Sequence, residues 1–332
     1  MIFYETLPRH IHLEPTRECN ARCPQCSRTD GCTLNTVPGL EIDEVGALEL
    51  KDLLSRKEFL DVTSVLVNGN YGDIVMHTHP REFFEVLLEK IPHIQLHTNG
   101  GALSTEFWSW LGTTRVEVEF GIDGLEDTHH LYRRKTRFDI VWKNAVAFIE
   151  AGGHAVCAMN VFRHNEHQKE ELAQRCAEAG FKNIIFRPDE RFGNTEGIQC
   201  YDKDGNPEYK IYPTTEFVKL HEQDALPIFM NTVSNNEKHA ELSKEVQCRV
   251  LMRDSIYISG QMKTWPCCWM EKHGILENNS LRKNSFESIN QEMYSKIYSK
   301  WNTPECLSVC TRKCEATLIE ERLTPYESKT LS

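Results

Sequence analysis

The chain has 332 residues, of which 40% are hydrophobic and 26% are charged. This composition is ordinary for a soluble globular protein, and the length predicts one large α/β domain or two domains. The net charge of −11 argues against a mainly electrostatic grip on nucleic acid, because phosphate binding needs a basic face. No run of about 18 apolar residues occurs, and the N-terminus lacks signal-peptide features. We therefore expect a cytoplasmic protein without a membrane span.

Six predicted strands alternate with helices in the first 190 residues, which is the pattern of a parallel α/β sheet. The predicted strands are residues 10–15, 61–67, 94–97, 116–120, 155–162 and 183–187. The predicted helices are residues 41–59, 81–90, one beginning near Ser104, 139–151 and 168–179. Six such units do not complete an eight-stranded barrel, so we expect an open or partial one with ligands at the C-terminal strand ends.

The remaining sequence changes in character. Residues 191–245 are polar and rich in turn formers, which predicts an insertion or linker with room for a hairpin. Residues 255–259 and 262–265 predict two strands joined by a turn at Gly260, and a helix is predicted around 285–300. The tail after residue 323 is expected to be loose.

The cysteines are unusual for a reducing compartment. There are thirteen, and structural disulfides are rare in such a compartment, so clustered thiols indicate metal or redox chemistry. Cys19, Cys23 and Cys26 form a C-x3-C-x2-C pattern in a loop that directly follows the first predicted strand. Three thiolates can hold three irons of a [4Fe–4S] cube and leave one iron open, and Cys32 is the only local candidate for a fourth ligand. A zinc site is the alternative, although zinc usually uses paired C-x2-C knuckles.

This loop resembles the signature of the radical S-adenosylmethionine (radical SAM) superfamily, in which it follows the first strand of a partial (β/α)6 barrel. Later segments match that family in the same order. Residues 66–73 are similar to its glycine-rich segment after strand two, and 96–100 to the Thr-Asn-Gly end of strand three. Residues 122–125 and 160–168 resemble the ends of strands four and five. The resemblance covers about residues 9–190.

The resemblance implies that Cys19, Cys23 and Cys26 hold a redox-active [4Fe–4S] cluster whose open iron binds the amino and carboxylate groups of S-adenosylmethionine. The residues that it implies around this cofactor are Gly69, Asn70, Gly72, Asp73, Asn99, Asp123, Arg133 and Asn160. The sequence alone also allows an ordinary turn at the glycines, a helix cap at Asn99 and a solvated helix start at Arg133. Two positions depart from the family: Gln25 replaces the usual aromatic residue that touches adenine, and Gly72-Asp73 replaces Gly-Glu.

A second group of cysteines lies near the C-terminus. Residues 246–323 look like the "twitch" or truncated SPASM extension of some radical SAM enzymes, which binds one auxiliary [4Fe–4S] cluster. On this resemblance the ligands are Cys248, Cys267, Cys310 and Cys314, with Cys268 and Cys306 as spares. A structural zinc site built from the same thiols is the alternative. The predicted organisation is thus a partial (β/α)6 TIM-like barrel (1–190), an insertion (191–245), a small α+β iron–sulfur domain (246–323) and a tail (324–332).

The chemistry implied by the family is reductive cleavage of S-adenosylmethionine to a 5′-deoxyadenosyl radical, which abstracts a hydrogen atom from the substrate. An auxiliary cluster favours net oxidation or crosslinking of a peptide or protein side chain or of a small molecule. A redox-neutral reaction such as epimerisation and a non-catalytic iron–sulfur or zinc protein remain alternatives. We also expect an electron donor such as flavodoxin or ferredoxin.

Overall fold

The computed structural model describes residues 7–192, 195–215, 246, 248–314 and 328–331. Its centre is a nine-stranded sheet in which six consecutive strands run parallel without closing into a barrel. These strands are β1 (His10–Leu13), β2 (Ser64–Val67), β3 (His93–Thr98), β4 (Glu117–Gly121), β5 (His154–Val161) and β6 (Asn183–Pro188). All six strands expected from the sequence are therefore confirmed, and the open parallel sheet is that of a partial barrel.

The two faces of this sheet differ in polarity, because alternate residues of a strand point to opposite sides. Strand pairing aligns Leu13 with Val67, Val67 with Leu96, Leu96 with Val118 and Val118 with Ala155. All five are buried in the hydrophobic core, so this face packs against the helices. The opposite face carries partly exposed polar side chains and is the concave side of the open barrel.

Helices follow the strands in chain order, and those with seven or more residues contribute side chains to this core. They are α1 (Ala47–Leu53), α2 (Pro80–Lys90), α3 (Thr105–Gly112), α4 (His129–Tyr132), α5 (Phe138–Glu150) and α6 (Lys169–Ala179). Among the residues that the structure describes, none of the helices has the length and apolar character needed to cross a bilayer.

The helix expected over residues 41–59 is much shorter than the sequence pattern predicted. Only Ala47–Leu53 is α-helical, and a short 3-10 helix follows at Lys57–Phe59. Glu44 forms a bridge with Thr16, and the Val45 amide donates to the Pro15 carbonyl at 2.9 Å. Pairing with the chain that follows β1 thus replaces the first predicted helical turns, because the backbone groups find partners there.

The second half of the chain adds strands to both edges of the sheet. The insertion contains an antiparallel hairpin, β7 (Ile198–Tyr201) and β8 (Pro207–Ile211), as its composition allowed. Strand β9 (Ser255–Ile258) lies parallel to β1, and β10 (Thr264–Trp265) returns antiparallel to β9. The C-terminal cysteine segment therefore shares one sheet with the barrel.

The remaining elements are short. Helices α7 (Arg249–Met252), α8 (Phe286–Lys296) and α9 (Ser308–Cys314) follow the cysteines or lie between them. The predicted 285–300 helix breaks at Ile297 into a 3-10 helix, Tyr298–Lys300. The expectation of a loose tail is wrong for its end, because β11 (Ser328–Thr330) pairs antiparallel with β6. The unpaired edge of β6 supplies the backbone partners that make this strand form.

Helices α3 and α5 pack so closely that one position requires glycine. A Cβ on Gly112 would lie 2.2 Å from the carbonyl oxygen of Phe148, which belongs to the backbone and cannot rotate away. We expect Gly112→Ala to lower the free energy of unfolding by about 1–3 kcal/mol, the usual effect of overpacking. Alanine also has a higher helix propensity than glycine, but this gain of about 1 kcal/mol offsets only part of the overpacking cost. Urea denaturation measures the change.

Gly46→Ala is the matched control, because a Cβ there meets nothing within 4 Å. Its effect on the unfolding free energy should be smaller, because Gly46 is the N-cap of α1, where alanine is less favourable than glycine but clashes with nothing. Equal stability of the two variants would contradict the packing argument.

Candidate functional site

The C-x3-C-x2-C loop lies at the C-terminal end of β1, where parallel strands present their ligands. Backbone hydrogen bonds fix its path: the Cys26 amide donates to the Cys23 carbonyl at 3.1 Å, and the Asp73 amide donates to the Glu18 carbonyl at 2.8 Å. Two of the sulfurs accept backbone N–H groups, Cys19 Sγ from Ala21 at 3.4 Å and Cys26 Sγ from Arg28 at 3.5 Å. Such N–H···S contacts favour thiolates, the form in which cysteine binds iron.

The three thiols are neighbours in a largely buried environment. Burial raises the pKa of Cys19, and the nearby Asp73, Cys23 and Cys26 raise it further. Burial also raises the pKa of Cys23 to about 11, although the Arg133 guanidinium opposes that rise. The free thiols of Cys19 and Cys23 are therefore protonated at neutral pH, and binding of a metal cluster must release their protons.

Asp73 connects the ends of β2 and β3 to this loop. Its carboxylate is buried and accepts from Thr98 Oγ1 at 2.6 Å, the Asn99 amide at 2.7 Å and Asn99 Nδ2 at 2.8 Å. Asn99 Nδ2 also lies 3.0 Å from Asn20 Oδ1 and 3.7 Å from Cys19 Sγ. Asn99 therefore acts as a brace between β3 and the cysteine loop, rather than as the cap of the following helix, which Ser104 provides.

A second buried network follows β4. Asp123 Oδ2 accepts from Arg133 Nε at 2.5 Å, and Asp123 Oδ1 accepts from the Asn160 amide at 2.6 Å. Burial lowers the pKa of Arg133, but the Asp123 carboxylate outweighs it and the pKa rises overall. Arg133 is therefore a fixed positive charge beside Cys23, not the solvated helix start that the sequence also allowed. A Cβ on Gly121 would lie 2.3 Å from Arg133 Nη2, so glycine makes room for the guanidinium.

The segment after β2 meets the protein backbone closely. A Cβ on Gly72 would lie 1.8 Å from the Thr16 carbonyl oxygen, and a Cβ on Gly69 would lie 2.3 Å from the Gly72 carbonyl oxygen. Gly72 is therefore required for packing against the loop after β1, and Gly69 for the tight turn within its own segment. Asn70 faces the other way: its Nδ2 donates to the Cys268 carbonyl at 2.8 Å and to Glu271 Oε2 at 2.9 Å.

Cys32 does not join the three thiols. Its carbonyl accepts from the Tyr201 amide at 3.1 Å and from Arg134 Nη1 at 3.0 Å, and its thiol neighbours Cys200. The loop thus offers three thiolates, as a cluster with one open iron requires. Gln25 gives a further sign of a ligand, because both polar atoms of its side-chain amide are buried without a hydrogen-bond partner among the described residues.

The cysteines are not arranged around one ion. In the part of the chain that the structure describes, no three His, Cys, Asp or Glu side chains could hold a single metal ion. Zinc needs its ligands at ~2.0–2.3 Å from one centre. The thiolates of a cube each bind a different iron and so lie further apart. The observation therefore concerns a single ion and leaves the choice between a cluster and zinc as the sequence left it.

Several of the C-terminal thiols lie close to one another. A hydrogen bond between Cys248 and Cys314, followed by burial, raises the pKa of Cys248. Burial and the neighbouring Cys268, Cys310 and Cys314 raise the pKa of Cys267. Helix α9 carries Cys310 and Cys314, whereas Cys306 precedes it.

His97 and Glu119 were not singled out from the sequence, although they form a polar group with Arg187 on the concave face of the sheet. Arg187 donates from Nη1 and Nη2 to the two Glu119 carboxylate oxygens at 2.6 and 2.7 Å, and His97 Nδ1 lies 3.5 Å from Glu119 Oε1. Burial opposes ionisation of Glu119, but Arg187 and His97 outweigh it and lower its pKa. One signal in the sequence was available: His97 and Glu119 alternate with apolar neighbours along their strands, which places both on the face opposite the core.

Comparison with known proteins agrees with this geometry. No protein-family model matches the chain. The antilisterial bacteriocin subtilosin biosynthesis protein AlbA of Bacillus subtilis (strain 168) is 24% identical over 300 residues, which cover 88% of the chain and 62% of AlbA. The chain thus spans less than two thirds of that relative's length.

Solved structures share the fold. Streptococcus suis SuiB bound to S-adenosylmethionine has a TM-score of 0.58 at 14% identity, covering 92% of this chain and 77% of SuiB. SuiB bound to precursor peptide SuiA has a TM-score of 0.58 at 15% identity, covering 92% and 76%. These likenesses show that the chain shares the fold of SuiB, and its cysteine loop lies at the strand ends of that fold.

Proposed function

We propose that this chain is a radical SAM enzyme that acts on a peptide substrate. The observation that carries the proposal is the set of three neighbouring free thiols at the C-terminal strand ends, from which Cys32 is turned away. A reduced [4Fe–4S] cluster held by these thiolates would supply the electron for reductive cleavage of S-adenosylmethionine, the chemistry that would allow abstraction of a hydrogen atom from the substrate.

The residues of the chain have positioning roles in this reaction. Cys19, Cys23 and Cys26 would hold the cluster, and Asn99 and Asp73 keep the loop in place. Arg133 sets a positive charge beside Cys23, where it would offset the negative charge of the thiolates. The amide of Gln25, which has no partner in the described protein, would hydrogen-bond the adenine base that an aromatic residue touches in the family.

The peptide substrate is supported by two relatives. AlbA is named for biosynthesis of the bacteriocin subtilosin, and SuiB is described as binding precursor peptide SuiA. The concave face, with Arg187, Glu119 and His97, is where the open barrel would receive such a chain. An external donor such as flavodoxin or ferredoxin would reduce the cluster. A reducing cytoplasm suits the thirteen free cysteines.

Four of the C-terminal thiols form our proposed auxiliary site: Cys248, Cys267, Cys310 and Cys314. Cys248 is hydrogen-bonded to Cys314, and Cys267 neighbours both Cys310 and Cys314. A cluster there would accept an electron from the substrate radical, so the reaction would be a net oxidation such as crosslinking. An epimerase would instead return a product of unchanged mass.

The first test is the iron content after anaerobic reconstitution. We expect about eight irons per chain, falling to about four in a Cys19→Ser/Cys23→Ser/Cys26→Ser variant, because each cube contains four irons. The same variant should form no 5′-deoxyadenosine from S-adenosylmethionine and dithionite. Cys157→Ser is the control, because this buried thiol lies on β5 away from the loop. Persistent 5′-deoxyadenosine formation in the triple variant would sink the proposal.

The auxiliary site has its own matched pair of variants. Cys267→Ser/Cys310→Ser should lose about four irons, whereas Cys268→Ser/Cys306→Ser should keep about eight. The reverse result would show that the ligand set is wrong. Iron limited to about four in the unaltered chain, with about one zinc per chain, would favour the zinc alternative.

Gln25 is tested by its effect on cofactor affinity. Gln25→Ala should weaken S-adenosylmethionine binding about two- to tenfold, because one hydrogen bond contributes ~0.5–1.5 kcal/mol. Equilibrium dialysis of radiolabelled cofactor against the reconstituted protein gives the affinity. Gln174→Ala, on the exposed side of α6, is the control. An equal affinity of the two variants would contradict the assignment.

A further inference from the structure

A cleft of about 230 Å³ lies between the loop after β1, the segment after β2 and the β9–β10 hairpin. The side chains that line it include Arg17, Tyr71, Gln261, Trp265 and Glu271. Glu41 and Lys263 also line the cleft and carry opposite charges. Arg17 lies over the Tyr71 ring at 4.6 Å and donates from Nη1 to Gln261 Oε1 at 2.5 Å, so the wall is held in place by the protein itself.

Three buried polar atoms on this wall lack a hydrogen-bond partner among the described residues. They are Arg17 Nε, Trp265 Nε1 and Glu271 Oε1. Arg17 is 8% exposed, Trp265 is 5% exposed and the Glu271 side chain is 5% exposed. Buried polar groups almost always have partners, so two donors and one acceptor together indicate a polar ligand.

The charged side chains of the wall indicate the charge of the ligand. Glu14 and Glu271 are both buried and share one cation: Arg17 Nε is 4.0 Å from Glu14 Oε2, and Arg17 Nη2 is 3.6 Å from Glu271 Oε1. Neither contact is a hydrogen bond. Burial, followed by the nearby Glu271 carboxylate, raises the pKa of Glu14 to about 7, although backbone donors from Tyr71 and Gly260 and the Arg17 charge oppose the rise.

Glu271 also links the cleft to the cysteine loop. Its Oε2 accepts from Tyr257 Oη and from Asn70 Nδ2, both at 2.9 Å. The carbonyl oxygen of Asn70 lies 4.0 Å from Cys26 Sγ. Only Asn70 therefore lies between a group bound against Glu271 and the loop that would hold the catalytic cluster.

We propose that this cleft binds a lysine or arginine side chain of the peptide substrate, an inference that rests on the proposed function. The cationic group donates to Glu271 Oε1 and supplies the second positive charge for the two buried carboxylates. Arg17 Nε and Trp265 Nε1 donate to carbonyl oxygens of the peptide backbone beside it. The Trp265 and Tyr71 rings offer apolar and cation–π contacts to the side-chain stem and its charge.

The experiment compares two peptide probes on the anaerobically reconstituted chain by isothermal titration calorimetry. The probes are acetyl-Ala-Ala-Lys-Ala-Ala-amide and the same peptide with norleucine, which keeps the stem and removes the charge. We expect the lysine peptide to bind about tenfold more tightly or better, because a buried charge pair loses at least this much when one partner is removed. Glu271→Gln should abolish the preference, whereas Glu41→Gln in the same cleft should leave it.

Equal affinity of the two peptides, binding of neither, or an equal loss in Glu41→Gln would overturn the cleft proposal. Formation of 5′-deoxyadenosine on the same preparation separates this result from failure of the proposed function. A lysine preference without any cleavage of S-adenosylmethionine would overturn the function and leave the cleft as a binding site. If Glu271→Gln does not fold, the affinities of the lysine and norleucine peptides for the unaltered chain still test the cleft proposal.

Discussion

The site depends on one buried carboxylate. Asp73 receives four hydrogen bonds, from Thr98, Val75 and both nitrogens of Asn99, and so joins the end of β2 to the end of β3. Burial raises its pKa, and the donors from Thr98, Asn99 and Val75 oppose that rise. Removing the carboxylate would leave these donors buried and unpaired, which is more damaging than losing one contact. Because Asn99 also reaches Asn20, the position of the cysteine loop relative to the sheet follows from this network.

Much of the fold and part of the site were predictable from local sequence signals. Strands such as β5 and helix α6, which ends at Gly180 with a φ of 91°, are specified by periodicity and by glycine chemistry. The three cysteines of the loop were evident from spacing. The role of Asn99 was not evident from the sequence. An asparagine at the end of β3 is expected both for a helix cap and for a contact with another loop, so the pattern does not distinguish the two. The short α1 and the edge strand β11 depend on pairing with distant chain segments, which no local pattern encodes.

Direct contacts connect the loop that carries Cys19, Cys23 and Cys26 to the C-terminal cysteine segment. Strand β9 lies against β1, and Asn70 holds the Cys268 carbonyl while its own carbonyl lies beside Cys26. A C-terminal segment attached only by a linker would leave the distance between two clusters undefined. Here the shared sheet and the Asn70 side chain fix the two loops relative to each other, as electron transfer between a substrate radical and an auxiliary cluster would require. The cysteine spacing does not predict this connection. Asn70 lies in a glycine-rich turn, and nothing in the sequence marks it as a residue that contacts the C-terminal segment.

Several arginines lie against the cysteine loop, although the chain as a whole is acidic. The net charge is −11, yet Arg133 lies beside Cys23, and Arg191 donates from Nη1 to the Gln25 carbonyl at 3.2 Å. Arg22 donates to the Cys19 carbonyl at 2.8 Å. Thiolates in a buried loop are stable only where nearby positive charge or N–H donors offset their desolvation. The arginines therefore make the loop fit for an anionic cluster, and the acidic surface elsewhere does not bear on it, because exposed charges more than about 10 Å away are screened by salt.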